Sequence, residues 1–342
     1  MTEPLLSIRD LTVEFGTEDG VVHAVTGVSY DVFPGETVGV VGESGSGKSV
    51  SVMSLLGLIP QPPGRVVAGE ATFNGRNLIG MKKKELRELR GGDVAMIFQD
   101  PMTSLNPVLT IGDQISEAIK IHNPDVKDDA ATKRVVDLLA LVGVPNPEQR
   151  VNQYPHEFSG GMRQRAMIAM AIANEPKLLI ADEPTTALDV TIQAQIIEVL
   201  KAAQQETHAA TILITHDLGL VAELCDRVVV MYAGRVIETG DVYTIFANPR
   251  HPYTVGLMDS LPKLVGHDEM LRPITGQPPS LIHVPPGCAF HPRCFLSGGR
   301  TPCRTEVPPL RPVGDAEHLS ACHYAEELAE RAAERVPAGG RA

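Results

Sequence analysis

The sequence predicts an α/β fold with a mostly parallel sheet and surrounding helices. Short apolar runs of strand length alternate along the chain with helical patterns. One of these runs leads directly into a glycine-rich turn and then into a helix. The third observation is size, because a chain of 342 residues, 43% of them hydrophobic, can bury a large core.

The expected elements follow one another in a clear order. A turn-forming TEDG separates the first two strands, and the third strand leads into the helix SVSVMSLLGLI. A mostly helical stretch from about 100 to 173 predicts a helical subdomain, and the helix TIQAQIIEVLKAAQQE lies between the last two strands. The five strands are expected at LLSIRDLTVEF, GVSYDVF, ETVGVVG, LLIAD and TILITHD.

The character of the chain changes near residue 250, where we place a domain boundary. Residues 251–342 are rich in proline and glycine and have few periodic elements, so we expect a small, irregular, cysteine-containing extension. Its one periodic segment, HLSACHYAEELAERAAER, is expected to form an amphipathic helix before a frayed tail.

Composition excludes several classes of protein. The balance of apolar and charged residues excludes a disordered chain, a collagen and a disulfide-stapled miniprotein. Forty-two acidic and 30 basic residues give a formal net charge of -12. Because such a surface repels phosphate and the basic run from Lys82 to Lys84 is short, broad nucleic-acid binding is disfavoured.

The sequence also bears on localisation. No stretch approaches the roughly 20 apolar residues that span a bilayer, and a run such as Ala166 to Ala173 has the length of a buried helix segment. The N-terminal MTEPLLSIRDLTVEF has neither the basic start nor the apolar stretch of a secretory signal. We therefore expect the protein to stay in the cytosol and to contact a membrane only through a partner.

The strongest chemical signal is a phosphate-binding loop, G-x-x-x-x-G-K-[ST], between an expected strand and helix. Its glycines let backbone N–H groups close around the β-phosphate of a nucleotide, and the helix N-terminus adds a favourable dipole. Lys48 reaches the β- and γ-phosphates, and the Ser49 hydroxyl can ligate Mg²⁺. The expected nucleotide-binding residues are Gly42, Glu43, Ser44, Gly45, Ser46, Gly47, Lys48, Ser49 and Val50.

A second candidate site is the apolar strand LLIAD, which leads into the carboxylates of Asp182 and Glu183. Asp182 is placed to hold Mg²⁺ through water, and Glu183 to polarise a water for attack on a γ-phosphate. Acidic residues at a strand end are by themselves more often solvated or helix-capping. The phosphate-binding loop upstream favours the catalytic interpretation.

A third motif, from Phe158 to Arg165, is expected to open a helix. Its serine is a typical N-cap, and its two glycines leave N–H groups for an anion. Without the other motifs, a capped helix with a flexible entry would be the better interpretation. The candidate anion-binding residues are Ser159, Gly160, Gly161 and Met162.

In their order, these motifs resemble the nucleotide-binding subunits of ABC transporters over the first 250 residues or so. Ser159 to Met162 is similar to the family signature, with methionine where glutamine is commoner. The resemblance also identifies Gln99 as a sensor of Mg²⁺ and γ-phosphate, Asp189 as part of the D-loop and His216 as a γ-phosphate contact. Phe15 is identified as an aromatic residue that stacks on adenine, although packing within a sheet explains it almost as well.

The resemblance implies a P-loop NTPase fold of ABC type and ATP hydrolysis by a dimer, in which the signature of one subunit completes the site of the other. The implied catalytic residues are Glu183, His216, Gln99 and Lys48, and the implied Mg²⁺ ligands are Ser49, Gln99 and Asp182. The implied partners are a related, non-identical ATPase subunit, two transmembrane permeases and an extracytoplasmic binding protein. The chain is then peripheral, at the cytoplasmic face of the cell membrane.

The C-terminal part narrows this resemblance. The segments NPRHPYT, GQPP and GCAFHPRC are similar to the extension of the oligopeptide and dipeptide importer ATPases. This similarity implies uptake of short peptides or of a related solute, such as a nickel complex or a glycoside.

Four of the five cysteines fall within the last 55 residues. In a reducing cytosol, clustered cysteines bind metal more often than they form disulfides, but this spacing lacks the paired C-x₂-C of structural zinc sites. Zinc and free thiols therefore stay open, whereas the resemblance to the importer family implies a [4Fe–4S] cluster. The expected ligands are Cys288, Cys294, Cys303 and Cys322, and Cys225 is expected to be a buried small hydrophobe.

Two further hypotheses stay open. A soluble ABC-type ATPase of DNA repair or translation is expected to have two fused cassettes, long coiled-coil heptads or a basic face, and the sequence has none of these. A cysteine segment that senses redox state and gates transport is compatible with the importer hypothesis.

Overall fold

The computed structural model of the protein describes residues 3–186, 188–260 and 274–328. They divide into two compact units that are interleaved along the chain. The first unit contains the described residues up to Ser7, together with Asp31–Thr37 and Thr72–Thr215. The second contains Ile8–Tyr30, Val38–Ala71 and the described residues from His216 onward. The domain boundary that we placed at residue 250 stays a prediction.

The strands alternate with helices along most of the chain. The strands of the described residues are β1 (Leu6–Thr17), β2 (Gly20–Val32), β3 (Thr37–Val41), β4 (Gly64–Phe73), β5 (Arg76–Asn77), β6 (Val94–Ile97), β7 (Leu178–Asp182), β8 (Ala210–Thr215), β9 (Arg227–Tyr232), β10 (Arg235–Asp241), β11 (Arg311–Val313) and β12 (Asp315–Ser320). The α-helices are α1 (Lys48–Leu55), α2 (Lys83–Leu89), α3 (Pro101–Ser104), α4 (Ile111–His122), α5 (Asp128–Leu141), α6 (Pro147–Arg150), α7 (Gly160–Ala171), α8 (Val190–Thr207), α9 (Leu218–Leu224), α10 (Val242–Ala247), α11 (Pro252–Asp259) and α12 (Thr301–Thr305).

The five strands predicted from the sequence are present as β1, β2, β3, β7 and β8, and three of the predicted helices are present as α1, α7 and α8. The buried face of α8 is apolar, through Ile196, Val199 and Leu200, whereas α1 also buries the polar residues Lys48, Ser51 and Ser54. β3, β7 and β8 are buried along their whole length, as expected for strands covered on both faces.

In the first unit, β6, β7 and β8 form a parallel ladder in which Val94 lies opposite Leu178 and Leu178 opposite Ala210. The carboxyl ends of β6 and β7 therefore meet at one edge of this ladder. The stretch expected to be mostly helical contains α3 to α7, and the apolar face of α4 is buried through Ile111 and Ile115.

In the second unit, β2, β1 and β4 lie side by side in that order, and β3 pairs in parallel with β9. From β9 the pairing becomes antiparallel, through β10 and β12 to β11. The parallel pairs agree with the predicted α/β fold. The antiparallel strands β9 to β12 were not predicted.

The amphipathic helix predicted from His318 is wrong at its start. His318 and Ser320 belong to β12, which pairs with β10 so that Ser320 lies opposite Glu238. The Nε2 atom of His318 lies 2.8 Å from the fully buried Glu238 carboxylate, and this tertiary contact outweighs the local helical pattern. Helical structure begins at residue 325, and the rest of the predicted helix lies outside the described residues.

Within residues 3–186, 188–260 and 274–328, none of the helices combines the length and the apolar character that a membrane span requires.

Candidate active site

The phosphate-binding loop connects β3 to α1 inside the second unit. Gly42, Gly45 and Gly47 have φ angles of 152°, 77° and 98°, which L-residues with a side chain rarely adopt. A Cβ atom on Gly42 would overlap the carbonyl oxygen of Met231, and one on Gly47 would overlap that of Ala24. Gly42 and Gly47 are therefore required both by their backbone conformation and by the lack of room for a Cβ atom.

The lysine of the loop forms hydrogen bonds to the loop's own backbone. Lys48 is 5% exposed, and its Nζ donates hydrogen bonds to the carbonyl oxygens of Gly42 (2.8 Å) and Glu43 (3.0 Å). Ser46 Oγ is buried without a hydrogen-bond partner among the described residues, which fits a loop built to receive a polar ligand. The remaining predicted contacts are exposed or partly buried: Ser44, Ser49 and Val50.

Three side chains that the sequence did not single out hold this loop from outside. The Tyr253 hydroxyl accepts the backbone N–H of Glu43, and the Arg293 guanidinium binds the Glu43 carboxylate. The Tyr232 hydroxyl in turn lies 3.3 Å from Arg293 Nη1. Tyr253 and Arg293 lie in the HPYT and GCAFHPRC segments, but nothing in the sequence indicated which loop these residues contact.

In the first unit, the end of β7 presents two carboxylates. Asp182 is 6% exposed, and Glu183 follows it in a left-handed conformation with φ of 46°. The Glu183 N–H donates to the Ile214 carbonyl (2.8 Å), and its Oε2 accepts from Thr186 Oγ1 (2.8 Å) and Gln99 Nε2 (3.3 Å). The structure thus brings Gln99 and Glu183 together, because β6 and β7 end at the same edge.

The signature turn opens α7, also in the first unit. Ser159 is its N-cap, and the hydroxyl accepts a hydrogen bond of 3.3 Å from the Met162 N–H. Gly160 is exposed, and a Cβ atom there would meet no described atom within 4 Å. A Cβ atom on Gly161 would lie 2.9 Å from the Ile192 side chain, so the turn packs closely on α8.

Two further predicted residues lie at helix starts. Asp189 is the N-cap of α8, where its carboxylate accepts the Ile192 N–H at 3.0 Å. Ala187, which precedes it in the predicted D-loop, lies outside the described residues. His216 is exposed and directly follows β8, just before Asp217, the N-cap of α9. It is therefore not a buried core histidine.

Phe15, the predicted adenine-stacking residue, lies in β1 and is partly buried. Its ring packs against Gly64, where a Cβ atom would lie only 2.7 Å from Cε1. The adjacent Gly16 N–H donates to the Pro63 carbonyl at 3.1 Å. Packing within the sheet accounts for Phe15, and its contact with adenine stays a prediction.

The four C-terminal cysteines converge without forming a metal site. Burial, with a smaller contribution from neighbouring thiols of the same set, raises the pKa of Cys288 to about 11 and that of Cys322 to about 12. Across the described residues, however, no group of three or more His, Cys, Asp or Glu side chains could hold a metal ion. The metal site predicted at Cys288, Cys294, Cys303 and Cys322 is therefore not preformed in this arrangement. Cys225 is buried, as predicted, and burial raises its pKa.

Comparisons with known proteins agree with the motifs. The chain matches the ABC transporter family model over residues 25–186 and the model of the oligopeptide/dipeptide transporter C-terminal region over residues 237–300. It is 54% identical to the dipeptide transport ATP-binding protein DppD of Escherichia coli over 320 residues, which is 94% of this chain and 96% of that protein. The chain belongs to this family of ABC transporter ATP-binding proteins.

Two further comparisons extend this result. The oligopeptide transport ATP-binding protein OppD of Bacillus subtilis is 55% identical over 84% of this chain and 80% of its own length. Among solved structures, the ATP-binding cassette MJ0796, in a dimeric post-hydrolysis state with ADP and Pi, matches 69% of this chain and 98% of its own with a TM-score of 0.62. At 24% identity this match shows the shared fold. The predicted P-loop NTPase fold of ABC type is confirmed.

Proposed function

We propose that the protein hydrolyses ATP to drive the uptake of short peptides through membrane permease partners. The observation that carries this proposal is similarity along almost the whole chain to a dipeptide transport ATP-binding protein, extension included. The phosphate-binding loop, the β7 carboxylates and the signature turn are all present. Peptides are preferred to nickel complexes or glycosides because both relatives described above are named for peptide transport.

The loop residues supply binding and charge stabilisation. Lys48 and the N–H groups at the start of α1 hold the β- and γ-phosphates, and Ser49 ligates Mg²⁺. Asp182 and Gln99 also act on Mg²⁺, Asp182 through water. Hydrogen bonds from Lys48 Nζ to two carbonyl oxygens of the loop hold its ammonium group at the loop.

Hydrolysis depends on Glu183, which polarises the attacking water, and on His216, which contacts the γ-phosphate. Hydrogen bonds from Thr186 and Gln99 to one oxygen of the Glu183 carboxylate fix its orientation. A glutamine at the end of β6 is thereby linked to the group that activates water. This link fits the proposed role of Gln99 as a sensor of Mg²⁺ and γ-phosphate.

The signature turn acts on a second ATPase subunit. Its exposed Gly160 and its N-capped helix start form an anion-binding surface that a partner nucleotide can approach. We take the partner to be a related, non-identical chain. Both ATPases are held at the cytoplasmic face of the membrane by two permeases, which receive peptides from an extracytoplasmic binding protein.

The cysteine segment is proposed to hold a [4Fe–4S] cluster, with zinc as the alternative. The four thiols are buried or partly buried, and neighbouring thiols of the set contribute to the raised pKa of Cys288, Cys294 and Cys322, so a bound cation would favour deprotonation of the set. The cluster would supply cross-linking of the segment, and no step of ATP hydrolysis passes through it.

Metal analysis after anaerobic purification tests the cluster. We expect about four iron and four sulfide per chain, lost together in Cys288→Ser or Cys303→Ser. Stoichiometric zinc without sulfide would replace the cluster by a zinc site, and no metal at all would contradict both.

Substitution of the proposed catalytic base tests the enzymatic function. In Glu183→Gln, phosphate release by the assembled transporter should fall about 10²- to 10⁴-fold while MgATP binding is retained, because the amide cannot polarise water in the same way. The matched control is Glu175→Gln, since Glu175 shares the left-handed backbone (φ of 51°) but pairs with Arg134 at the surface. Equal hydrolysis by Glu183→Gln and the wild type would contradict the assignment.

A further inference from the structure

The phosphate-binding loop carries an acidic side chain. Glu43 is its second residue, and an unpaired carboxylate there would repel a nucleotide triphosphate. In the structure both carboxylate oxygens are paired, since Arg293 Nη1 lies 2.6 Å from Oε2 and Nη2 lies 2.9 Å from Oε1. The Arg293 side chain is only 6% exposed, so this two-point contact is shielded from solvent on the arginine side.

The backbone of Glu43 is fixed as firmly as its side chain. The N–H donates to the Tyr253 hydroxyl at 2.7 Å, and the carbonyl oxygen accepts from Lys48 Nζ at 3.0 Å. Every polar group of Glu43 is thus bonded to another residue of the chain. The second residue of the loop is therefore held in one position by Lys48, Tyr253 and Arg293.

Arg293 itself has little freedom to move. Its Nε donates to the Thr275 carbonyl at 3.0 Å, and its guanidinium carbon lies 5.8 Å from the ring centroids of both Tyr232 and Phe290. These two rings pack edge to face with centroids 5.2 Å apart, and Tyr253 packs against both. The arginine is therefore presented to Glu43 by a rigid aromatic cluster of Tyr232, Tyr253 and Phe290.

We propose that Arg293 is a positioning residue for the phosphate-binding loop, acting through Glu43. It neutralises the carboxylate and fixes the second residue of the loop before MgATP binds, without touching the nucleotide. The C-terminal extension is thereby part of the nucleotide-binding apparatus. This inference rests on the proposed ATP-binding function.

The test measures MgATP binding to the full chain by calorimetry in a double-mutant cycle. Arg293→Met removes the charge but keeps the length of the side chain, and it should weaken MgATP binding about tenfold or more, as expected for the loss of a charge-assisted hydrogen bond. The double variant Glu43→Gln/Arg293→Met should recover most of that loss, because no unpaired carboxylate is left in the loop. Arg293→Lys keeps the charge without the two-point geometry and should lie in between.

The matched control is Arg300→Met. Arg300 pairs with Glu327 through two hydrogen bonds of 2.6 and 2.9 Å, the same lengths as in the Arg293 pair, and it belongs to the same extension. The contacts described for it do not reach the phosphate-binding loop, so this variant should bind MgATP like the wild type. Wild-type affinity in Arg293→Met, failure of Glu43→Gln to restore binding, or an equal loss in Arg300→Met would each overturn the proposal.

Amide hydrogen exchange without nucleotide separates this proposal from the proposed function. In Arg293→Met, exchange across residues 42–49 should speed up, whereas Arg300→Met should leave it unchanged. If the wild type did not bind MgATP, the proposed function would fail and the exchange result would still decide whether Arg293 positions the loop. Unchanged exchange in Arg293→Met would overturn the positioning role.

Discussion

Two glycine-rich turns of this protein each open a helix, yet they are held in different ways. The phosphate-binding loop before α1 is bonded to Lys48 from within and to Tyr253 and Arg293 from the extension. The signature turn before α7 has a cap bond of 3.3 Å, and Arg163 Nε donates to the carbonyl oxygens of Pro155 and Phe158 just before the turn, but Gly160 itself is exposed with open space around it. The first is a fixed receptor, whereas the second is an exposed surface.

This difference agrees with the roles proposed for the two turns. A loop that binds its own nucleotide gains affinity from being fixed in advance, because no ordering cost is paid on binding. A turn that acts on the nucleotide of another subunit must stay open to that subunit. The contrast predicts that substitutions in the phosphate-binding loop change MgATP affinity, whereas substitutions in the signature turn change the rate of ATP hydrolysis.

The largest effect is expected at Gly42. In Gly42→Ala the new Cβ atom would overlap the Met231 carbonyl oxygen, so the loop must shift, and MgATP affinity should fall about 100-fold or more. Gly45→Ala is the control, since a Cβ atom there meets no described atom within 4 Å and only the φ of 77° is unfavourable. Its cost of about 1–2 kcal/mol corresponds to roughly tenfold. Equal affinities in the two variants, measured by calorimetry, would argue against the fixed-receptor description.

A smaller effect is expected from His251, whose Nδ1 accepts the Tyr253 N–H at 3.1 Å behind the same loop. Burial lowers the pKa of His251 to about 3, from an ordinary value of 6.5. Between these values the unfolded state binds more protons than the folded state. The free energy of unfolding should therefore fall by about 1.4 kcal/mol per pH unit as the pH drops below 6.5, with no such contribution above it.

The variant His251→Asn isolates this contribution. Asparagine keeps a cap acceptor for α11 but does not titrate, so its stability should change less between pH 7.5 and pH 5.5 in denaturant unfolding. The same loss of stability in both proteins would show that other groups cause the pH dependence.

The smallest effect on stability is expected at the signature turn. Ser159→Ala removes the N-cap of α7 and should lower the free energy of unfolding by about 1 kcal/mol. MgATP binding to the chain should be unchanged, while phosphate release by the assembled transporter falls. Thr110→Ala is the control, because Thr110 caps α4 in the same unit and its loss should cost similar stability without reducing turnover. A similar fall in turnover for both variants would mean that the cap acts only through stability.

The sequence predicted those parts of the fold and site that depend on neighbouring residues. The parallel strands are apolar runs, and the phosphate-binding loop needs glycine where φ is positive and space is absent, as at Gly42 and Gly47. The contact between Gln99 and Glu183, which lie 84 positions apart, was not predicted, because β6 was not among the expected strands.

The parts that were missed depend on residues far apart in the chain. Glu43 and Arg293 are 250 positions apart, and Glu238 and His318 are 80 apart, so no local pattern relates them. The Glu238–His318 pair explains why β12 forms where the helix was predicted to start, because the buried Glu238 carboxylate requires hydrogen-bond partners. The clustering of cysteines predicted that their thiols converge, but spacing alone could not predict the distances a metal needs.

The separation between Glu43 and Arg293 in the sequence also determines when the phosphate-binding loop can gain this contact during protein synthesis. At about 5–20 residues per second, roughly 12–50 s pass between the addition of Glu43 and that of Arg293. During that time Arg293 has not been added to the chain, so its pair with Glu43 has not yet formed. On the proposal that Arg293 positions the loop, a nascent chain carries the whole phosphate-binding motif before the residue that completes its binding geometry has been added.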